Sequence, residues 1–341
     1  MKRTILCAYF CLLFAFLLPF GAAYLKNEPA SPSPAPPETT PDEPALDPVP
    51  PSPSPELPPA IGSVPVPATL RVQTAQGVTD MATEEYLLGV LAAEMPVDFG
   101  PEALKAQAVA ARTYALYCAA LGKHPDADVC TDFACCQAWM SQEALRRSWG
   151  ENYDACRAAV EQALAETAGE YLEYGGEAIF AAFHSSSAGA TESCGAVWGP
   201  RAYLPSVSSP ETAADVPGYV SELHCGVLDL RDTLLAEHPE ADFSGEPSAW
   251  VERIRRDESG RVEKALLGGV EVSGVELRRL FSLRSTAFTL EYTGEEFLFT
   301  VTGFGHGVGM SQYGAMVMGR EGSSYRDILA HYYPGAELVR G

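Results

Sequence analysis

Apolar positions recur with two different periods along this chain. Leu87, Val90, Leu91 and Glu94 fall three or four residues apart, the spacing that stacks side chains on one helix face. Thr83 stands where a capping hydroxyl belongs, and Pro96 ends the run because the residue before a proline resists the helical region. A second helix is predicted over Pro101–Leu121, with proline in its first turn and Gly122 beyond its end. Its many alanines allow close packing, and Gln107, Arg112 and Tyr114 are its hydrogen-bonding members. A Cys-rich loop covers 130–140, and helical spacing returns over 151–166. Residues 170–174, the pair Gly175-Gly176 and residues 177–183 predict a hairpin. Short apolar runs at 261–272 and 288–301 predict further strands. Helices and strands in separate blocks imply an α+β fold. In it a helical part bearing Glu94 and a strand-rich part face each other across a cleft, and residues 217–280 form an inserted subdomain.

The start of the chain follows neither period. Lys2 and Arg3 precede an uncharged run from Ile5 to Leu25, which as a helix reaches about 30 Å, the thickness of a bilayer core. Residues 1–27 are therefore expected to be a single-pass N-terminal transmembrane helix, with Lys2 and Arg3 in the cytoplasm and the rest outside. A cleaved signal peptide ending near Gly21, Ala22 and Ala23 is the other reading. Both export the protein. Residues 28–67 are rich in proline, an extended linker with little to bury. The globular domain is expected over 68–341. A formal charge of −22 argues against nucleic acid, whose binding depends on neutralising phosphates with Lys and Arg.

Three groups of residues carry candidate chemistry. Glu94 ends an apolar stripe, where desolvation would raise its pKa as a general acid near neutral pH requires; a solvated glutamate at a helix end has the same pattern. His124, Cys130, Cys135 and Cys136 form a Cys3His set, which suits a closed, structural zinc site. Disulfides are equally open to an exported chain. Cys7 and Cys11 lie in the anchor. Cys118, Cys156, Cys194 and Cys225 are expected as buried thiols, a Cys194–Cys225 bridge being the other reading. The third group is His184, Ser185, Ser186, Ser187 and His306. No nucleophile-elbow signature surrounds these serines, which argues against a hydrolase triad. His306 lies among glycines, so it either bonds the backbone of its own turn or meets substrate.

Residues 85–96 (Glu85-Tyr86-Leu87-Leu88-Gly89-Val90 to Glu94-Met95-Pro96), followed by Ala103-Leu104-Lys105-Ala106-Gln107 to Arg112-Thr113-Tyr114, resemble the stage II sporulation protein D family. That family shares its domain with the amidase-modifier LytB. His184-Ser185-Ser186-Ser187-Ala188-Gly189, Val197-Trp198-Gly199 and Gly303-Phe304-Gly305-His306-Gly307-Val308-Gly309-Met310-Ser311-Gln312-Tyr313-Gly314-Ala315 carry the likeness toward the C-terminus. The resemblance implies a peptidoglycan lytic transglycosylase, acting on glycan strands stripped of their stem peptides during spore engulfment. Glu94 falls on the family's catalytic acid. One carboxylate suffices, because the sugar's own 6-hydroxyl attacks to give a 1,6-anhydro end, unlike two-acid glycosidases. The resemblance also favours zinc at His124, Cys130, Cys135 and Cys136. Substrate contacts are expected at Gln107, Arg112, His184, Ser185, Ser186, Ser187, Trp198, His306, Gln312 and Tyr313. The implied partners are stage II sporulation proteins P and M, with membrane attachment through the N-terminal helix. A non-catalytic amidase enhancer is the rival reading, and a metallohydrolase on the Cys-rich loop is disfavoured by its full ligand set.

Overall fold

The computed structural model describes residues 65–341, so the expected anchor and most of the linker lie outside the described residues. Among the described residues no helix is long and apolar enough to cross a membrane. The fold is mixed α+β with several small sheets. Strands β1 (Thr69–Thr74) and β2 (Gly77–Ala82) form a hairpin that leads directly into α1 (Thr83–Glu94). Thr83 does not cap this helix: its hydroxyl donates to the Pro67 carbonyl, and Ala82 occupies the cap. Met95 is already extended, as expected before Pro96. Helix α2 (Pro101–Leu121) starts on proline and ends where Gly122 turns left-handed at φ 58°.

Alanines make α2 the central strut of the larger core. Ala103, Ala106, Ala108, Ala110, Ala111 and Ala115 are all buried. Against it pack α1 and later helices, all within one hydrophobic cluster. Strand β3 (Val129–Cys130) joins β1 in parallel. Helix α3 (Gln142–Trp149), absent from the expected elements, is capped by the Ser141 hydroxyl. Helix α4 (Tyr153–Glu166) then leads to β4 (Glu170–Tyr174) and β5 (Glu177–Ala178). The glycine pair does make the expected turn, at φ 64° and 85°. Its second arm is only two residues long, however, and β4 takes β14 (Glu337–Arg340) as its other neighbour. Strand β6 (Phe183–His184), the short helix α5 (Cys194–Val197), β13 (Met310–Ser311), α8 (Gln312–Arg320) and α9 (Tyr325–Tyr332) complete this part, with β13 parallel to β6.

Between α5 and β13 the chain builds a second hydrophobic core from residues 225–301. Strands β7 (Val220–Gly226), β11 (Phe288–Tyr292) and β12 (Glu296–Thr302) form one sheet, and β8 (Val251–Arg256), β9 (Val262–Leu267) and β10 (Val270–Ser273) another. Helices α6 (Val227–Glu237) and α7 (Gly274–Leu280) cover them. Phe288, Phe297 and Phe299 are fully buried there, on alternating positions of β11 and β12.

The fit of α1 against the Cys-rich loop depends on a missing side chain. Met140 N–H donates to Gly89 O at 3.1 Å, and a Cβ on Gly89 would meet both the Trp139 indole and Met140 O, the latter at 2.7 Å. Glycine to alanine within a helix ordinarily stabilises by about 1 kcal/mol. Here the overpacking cost, about 1–3 kcal/mol, should reverse that sign. Urea denaturation of Gly89→Ala is expected to show a lower midpoint than the parent chain; a higher one would mean that the loop yields freely.

Candidate active site

Glu94 is the last residue of α1, and its hydrogen-bond partners come from two distant segments. The Ala138 amide of the Cys-rich loop donates to its Oε1 at 2.8 Å. From α8, the Gln312 side chain donates to its backbone carbonyl at 3.0 Å. Among the described residues none donates a hydrogen bond to Oε2, and Glu94 stays half-buried. Withdrawal from water raises the carboxyl pKa from the ordinary 4.5 to about 7, with the single Ala138 bond working weakly against it. No cation offsets that desolvation. The result is a carboxyl that holds its proton near neutral pH and keeps one oxygen free.

The expected substrate contacts divide into two sets. Gln312 is beside Glu94, and the Tyr313 ring packs on Phe99 with centroids 4.6 Å apart. Trp198 is half-buried against Phe180 and His306, at 5.2 and 4.7 Å. By contrast, Gln107 and Arg112 are fully buried in α2 and cannot meet a glycan. Arg112 donates instead to the Thr167 and Glu170 carbonyls and faces Glu84 across α1, so it ties helices together. Ser186 and Ser187 are also buried, and Ser185 is half-buried. His184 Nδ1 lies 3.2 Å from the Val308 carbonyl, an acceptor only, so Nδ1 carries the proton and Nε2 accepts from Ser187 Oγ at 2.7 Å. Burial, then the neighbouring His306 and Arg261, push the His184 pKa well below its ordinary value. His306 bonds within its own turn, Val308 N–H donating to its Nδ1 at 3.1 Å. Burial and two arginines lower its pKa to about 3, so both imidazoles are neutral.

Sequence reasoning missed the residue that joins these loops. Glu211 is buried and accepts from Ser187 N–H at 2.6 Å, from the Ser209 hydroxyl and from the Ser311 hydroxyl. Ser311 also caps α8 through Gly314 N–H, so one carboxylate fixes the serine loop and the start of the helix whose Gln312 bonds the Glu94 carbonyl. A second buried acid, Glu192, has its pKa raised to about 7 by desolvation and by Asp257. Both its oxygens face protein: Oε1 accepts from Ser193 N–H at 2.6 Å, and Oε2 lies 3.3 Å from Ser259 Oγ, with the Asp257 side chain hydrogen-bonded to the same carboxyl. The Ala138 amide was equally invisible, since a backbone donor leaves no trace in side-chain pattern.

His124, Cys130, Cys135 and Cys136 do come together. Their ligand atoms all lie within 4.8 Å of one another, with His124 Nε2 3.3 Å from Cys136 Sγ and 3.8 Å from Cys135 Sγ. Ligand pairs around a tetrahedral metal at 2.0–2.3 Å bonds would be about 3.3–3.8 Å apart, so three thiols and an imidazole fit a closed metal site after small shifts. Cysteines 118, 130, 135, 136, 156, 194 and 225 all carry free thiols. The Cys194–Cys225 bridge is thus not formed, and the two residues belong to different hydrophobic cores. The cluster lies two residues before Ala138, in the loop that touches Glu94.

Residues 72–174 match the family described as Stage II sporulation protein. The chain is 35% identical over 284 residues to Stage II sporulation protein D of Bacillus amyloliquefaciens, spanning 82% of this chain and 80% of that one. With Stage II sporulation protein D of Bacillus subtilis the identity is 34%, over 81% of this chain and 78% of that one. The Amidase enhancer of Bacillus subtilis is 28% identical over 74% of this chain and 40% of its own length.

The raised Glu94 pKa carries a stability consequence of definite sign. The folded chain binds the proton more tightly than the unfolded one between about pH 4.5 and 7. Stability therefore falls as pH rises through that window. Glu94→Gln, neutral at every pH, should gain stability relative to the parent between pH 4.5 and pH 8, as read by urea denaturation at both. An equal difference at the two pH values would show that the carboxyl is not perturbed.

Proposed function

The chain belongs to the stage II sporulation protein D family, and from that premise we propose that it is a lytic transglycosylase cutting denuded peptidoglycan strands. The observation that carries this reading is the half-buried Glu94 carboxyl, with a pKa of about 7 and one oxygen left without a protein donor. Protonated Glu94 gives its proton to the oxygen linking N-acetylmuramic acid to N-acetylglucosamine, and the anomeric carbon–oxygen bond breaks. The carboxylate then takes the proton of the same sugar's 6-hydroxyl as that oxygen closes on the anomeric carbon. Glu94 ends as it began, and the product carries a 1,6-anhydro end. Glu192 is a poor rival for this role, because both its oxygens are held inside the protein.

The same reading gives the other groups their parts. Gln312 orients the end of α1, while Tyr313 and Trp198 offer rings on which sugars can stack. His184, Ser186 and Ser187 act behind these, holding the loop in shape through Glu211. A zinc ion on His124, Cys130, Cys135 and Cys136 would supply a rigid cross-link to the loop bearing the Ala138 amide, with no open position for water. Attachment to the cell membrane through residues 1–27, with the domain outside the cytoplasm, belongs to this proposal. So do engulfment as its setting and stage II sporulation proteins P and M as its partners. The likeness to the Amidase enhancer supports a second reading, in which the chain binds glycan and stimulates a partner amidase.

Two measurements test the proposal. Mass spectrometry of denuded strands incubated with the protein should find 1,6-anhydro ends, and Glu94→Gln should reduce their release by about 10²–10⁴-fold. Full release by the variant would remove Glu94 from the role of acid; no release by the native chain would leave the enhancer reading. Metal analysis should find about one zinc per chain, lost together with thermal stability in Cys136→Ser. A Cys136 thiol that alkylates freely in the native protein would end the zinc assignment.

A further inference from the structure

Arginines buried in this chain generally face carboxylates. Arg112 meets Glu84, and Arg261 is surrounded by Glu192, Asp257 and Glu211. Arg284 does not. It comes from the loop between α7 and β11, is half-buried, and forms no ion pair among the described residues. Its guanidinium lies on the Phe304 ring at 4.5 Å, and Nη1 donates to the Gly218 carbonyl at 3.1 Å. Among the described residues Nη2 has no acceptor, and Nε is buried without a partner. Arg201 also lacks a carboxylate, but the Tyr203 and Tyr117 hydroxyls occupy both its Nη atoms. Arg284 is thus a cation held flat and pre-oriented, with donors to spare, in a chain of 45 acidic and 23 basic residues.

Its place in the fold connects it to Glu94. Phe304, under the guanidinium, exchanges backbone hydrogen bonds with Ser186 at 2.9 and 3.1 Å. The preceding residue, Ser185, accepts from Tyr313 N–H at 3.0 Å, and Gln312 next to it donates to the Glu94 carbonyl. Burial and Asp98 raise the Tyr313 hydroxyl's pKa, and Arg284 is near enough to oppose them. Arg284 therefore belongs to the surroundings of Tyr313, whose neighbour Gln312 bonds the Glu94 backbone carbonyl.

We propose that Arg284 binds the free lactyl carboxylate of a peptide-stripped muramic acid residue and so selects denuded strands. The inference rests on the glycan reading above and adds the group that distinguishes denuded from intact wall. In intact wall that carboxyl is an amide to the stem peptide and carries no charge. Stripping the peptide turns it into an anion, which a chain of net charge −22 would otherwise repel. The lactyl ether sits on the same sugar ring whose glycosidic bond Glu94 would protonate, so its reader is required close to Glu94. A guanidinium with two-pronged donors matches a carboxylate in charge and shape.

The test compares denuded strands with the same strands whose lactyl carboxylates are capped as methyl amides. Binding is measured on the full chain carrying Glu94→Gln, so that no turnover intervenes. Free-acid strands should bind at least about tenfold more tightly than capped ones, the worth of a charge-assisted hydrogen bond. In the Arg284→Gln background the ratio should fall to near one, with Arg284→Lys between. A role confined to pinning Gly218 would weaken both strands alike and leave the ratio unchanged. Equal binding of the two strands to the Arg284 chain overturns the proposal, and that arm needs no substitution at Arg284. So does a preference that survives Arg284→Gln. Failure to bind either strand overturns both this inference and the glycan reading. A preference for free-acid strands without anhydro products from the Glu94 chain would sink only the cleavage reading.

Discussion

A carboxyl that must stay protonated near pH 7 has to be withdrawn from water and kept away from cations, and the region around Glu94 meets both conditions. Its desolvation is opposed by one backbone amide and by no arginine or lysine. Every further donor would pull the pKa back toward the ordinary value. The fold supplies a single one from Ala138, uses Gln312 on the backbone carbonyl instead of the carboxyl, and leaves Oε2 open. The helix end, the Cys-rich loop and α8 converge there while adding almost no positive charge.

That economy requires rigidity elsewhere. The Ala138 amide must not drift, and the cluster of His124, Cys130, Cys135 and Cys136 lies immediately before it. Gly89 lets the following residues, Trp139 and Met140, press onto α1. On the other side, Glu211 anchors Ser187, Ser209 and Ser311 at once, and so sets where α8 begins. A buried carboxylate with three neutral donors is well satisfied, and removing it would leave several buried polar groups unpaired. The two acids show how one residue type divides its roles by environment. Glu211 is surrounded by donors and braces the structure, while Glu94 is starved of them and keeps its proton.

Much of this was legible in sequence. The limits of α1 and α2 followed from Pro96, Pro101 and Gly122, because proline and glycine act through local backbone sterics that tertiary contacts rarely override. Glu94 was a candidate because it ends an apolar stripe, a pattern that a solvated helix-end glutamate shares, and it was the family resemblance that gave it the acid's place. The metal-type cluster was visible because its four residues lie within a short stretch. What could not be read depended on distant contacts or on which way a polar side chain turns. Gln107 and Arg112 are hydrogen-bonding residues on an alanine-rich helix, and only the packing of α4 and β4 shows that they face inward. Thr83 had a capping residue's identity, yet its hydroxyl serves Pro67. Helix α3 is short and polar, so its apolar signal was too weak to register, although Ser141 caps it well. Glu211 is tied to Ser311, 100 residues away, a pairing that no local pattern carries.

The claim on which everything else depends is that the protein holds a proton on Glu94 near neutral pH. Carbon-13 NMR of glutamate carboxyls across a pH titration measures this directly, with the Glu94 signal assigned by its absence from Glu94→Gln. The account predicts a midpoint near 7 for that one resonance. A midpoint near the ordinary 4.5 would contradict it, leaving Glu94 an ionised helix-end residue at neutral pH and unsuited to act as the acid.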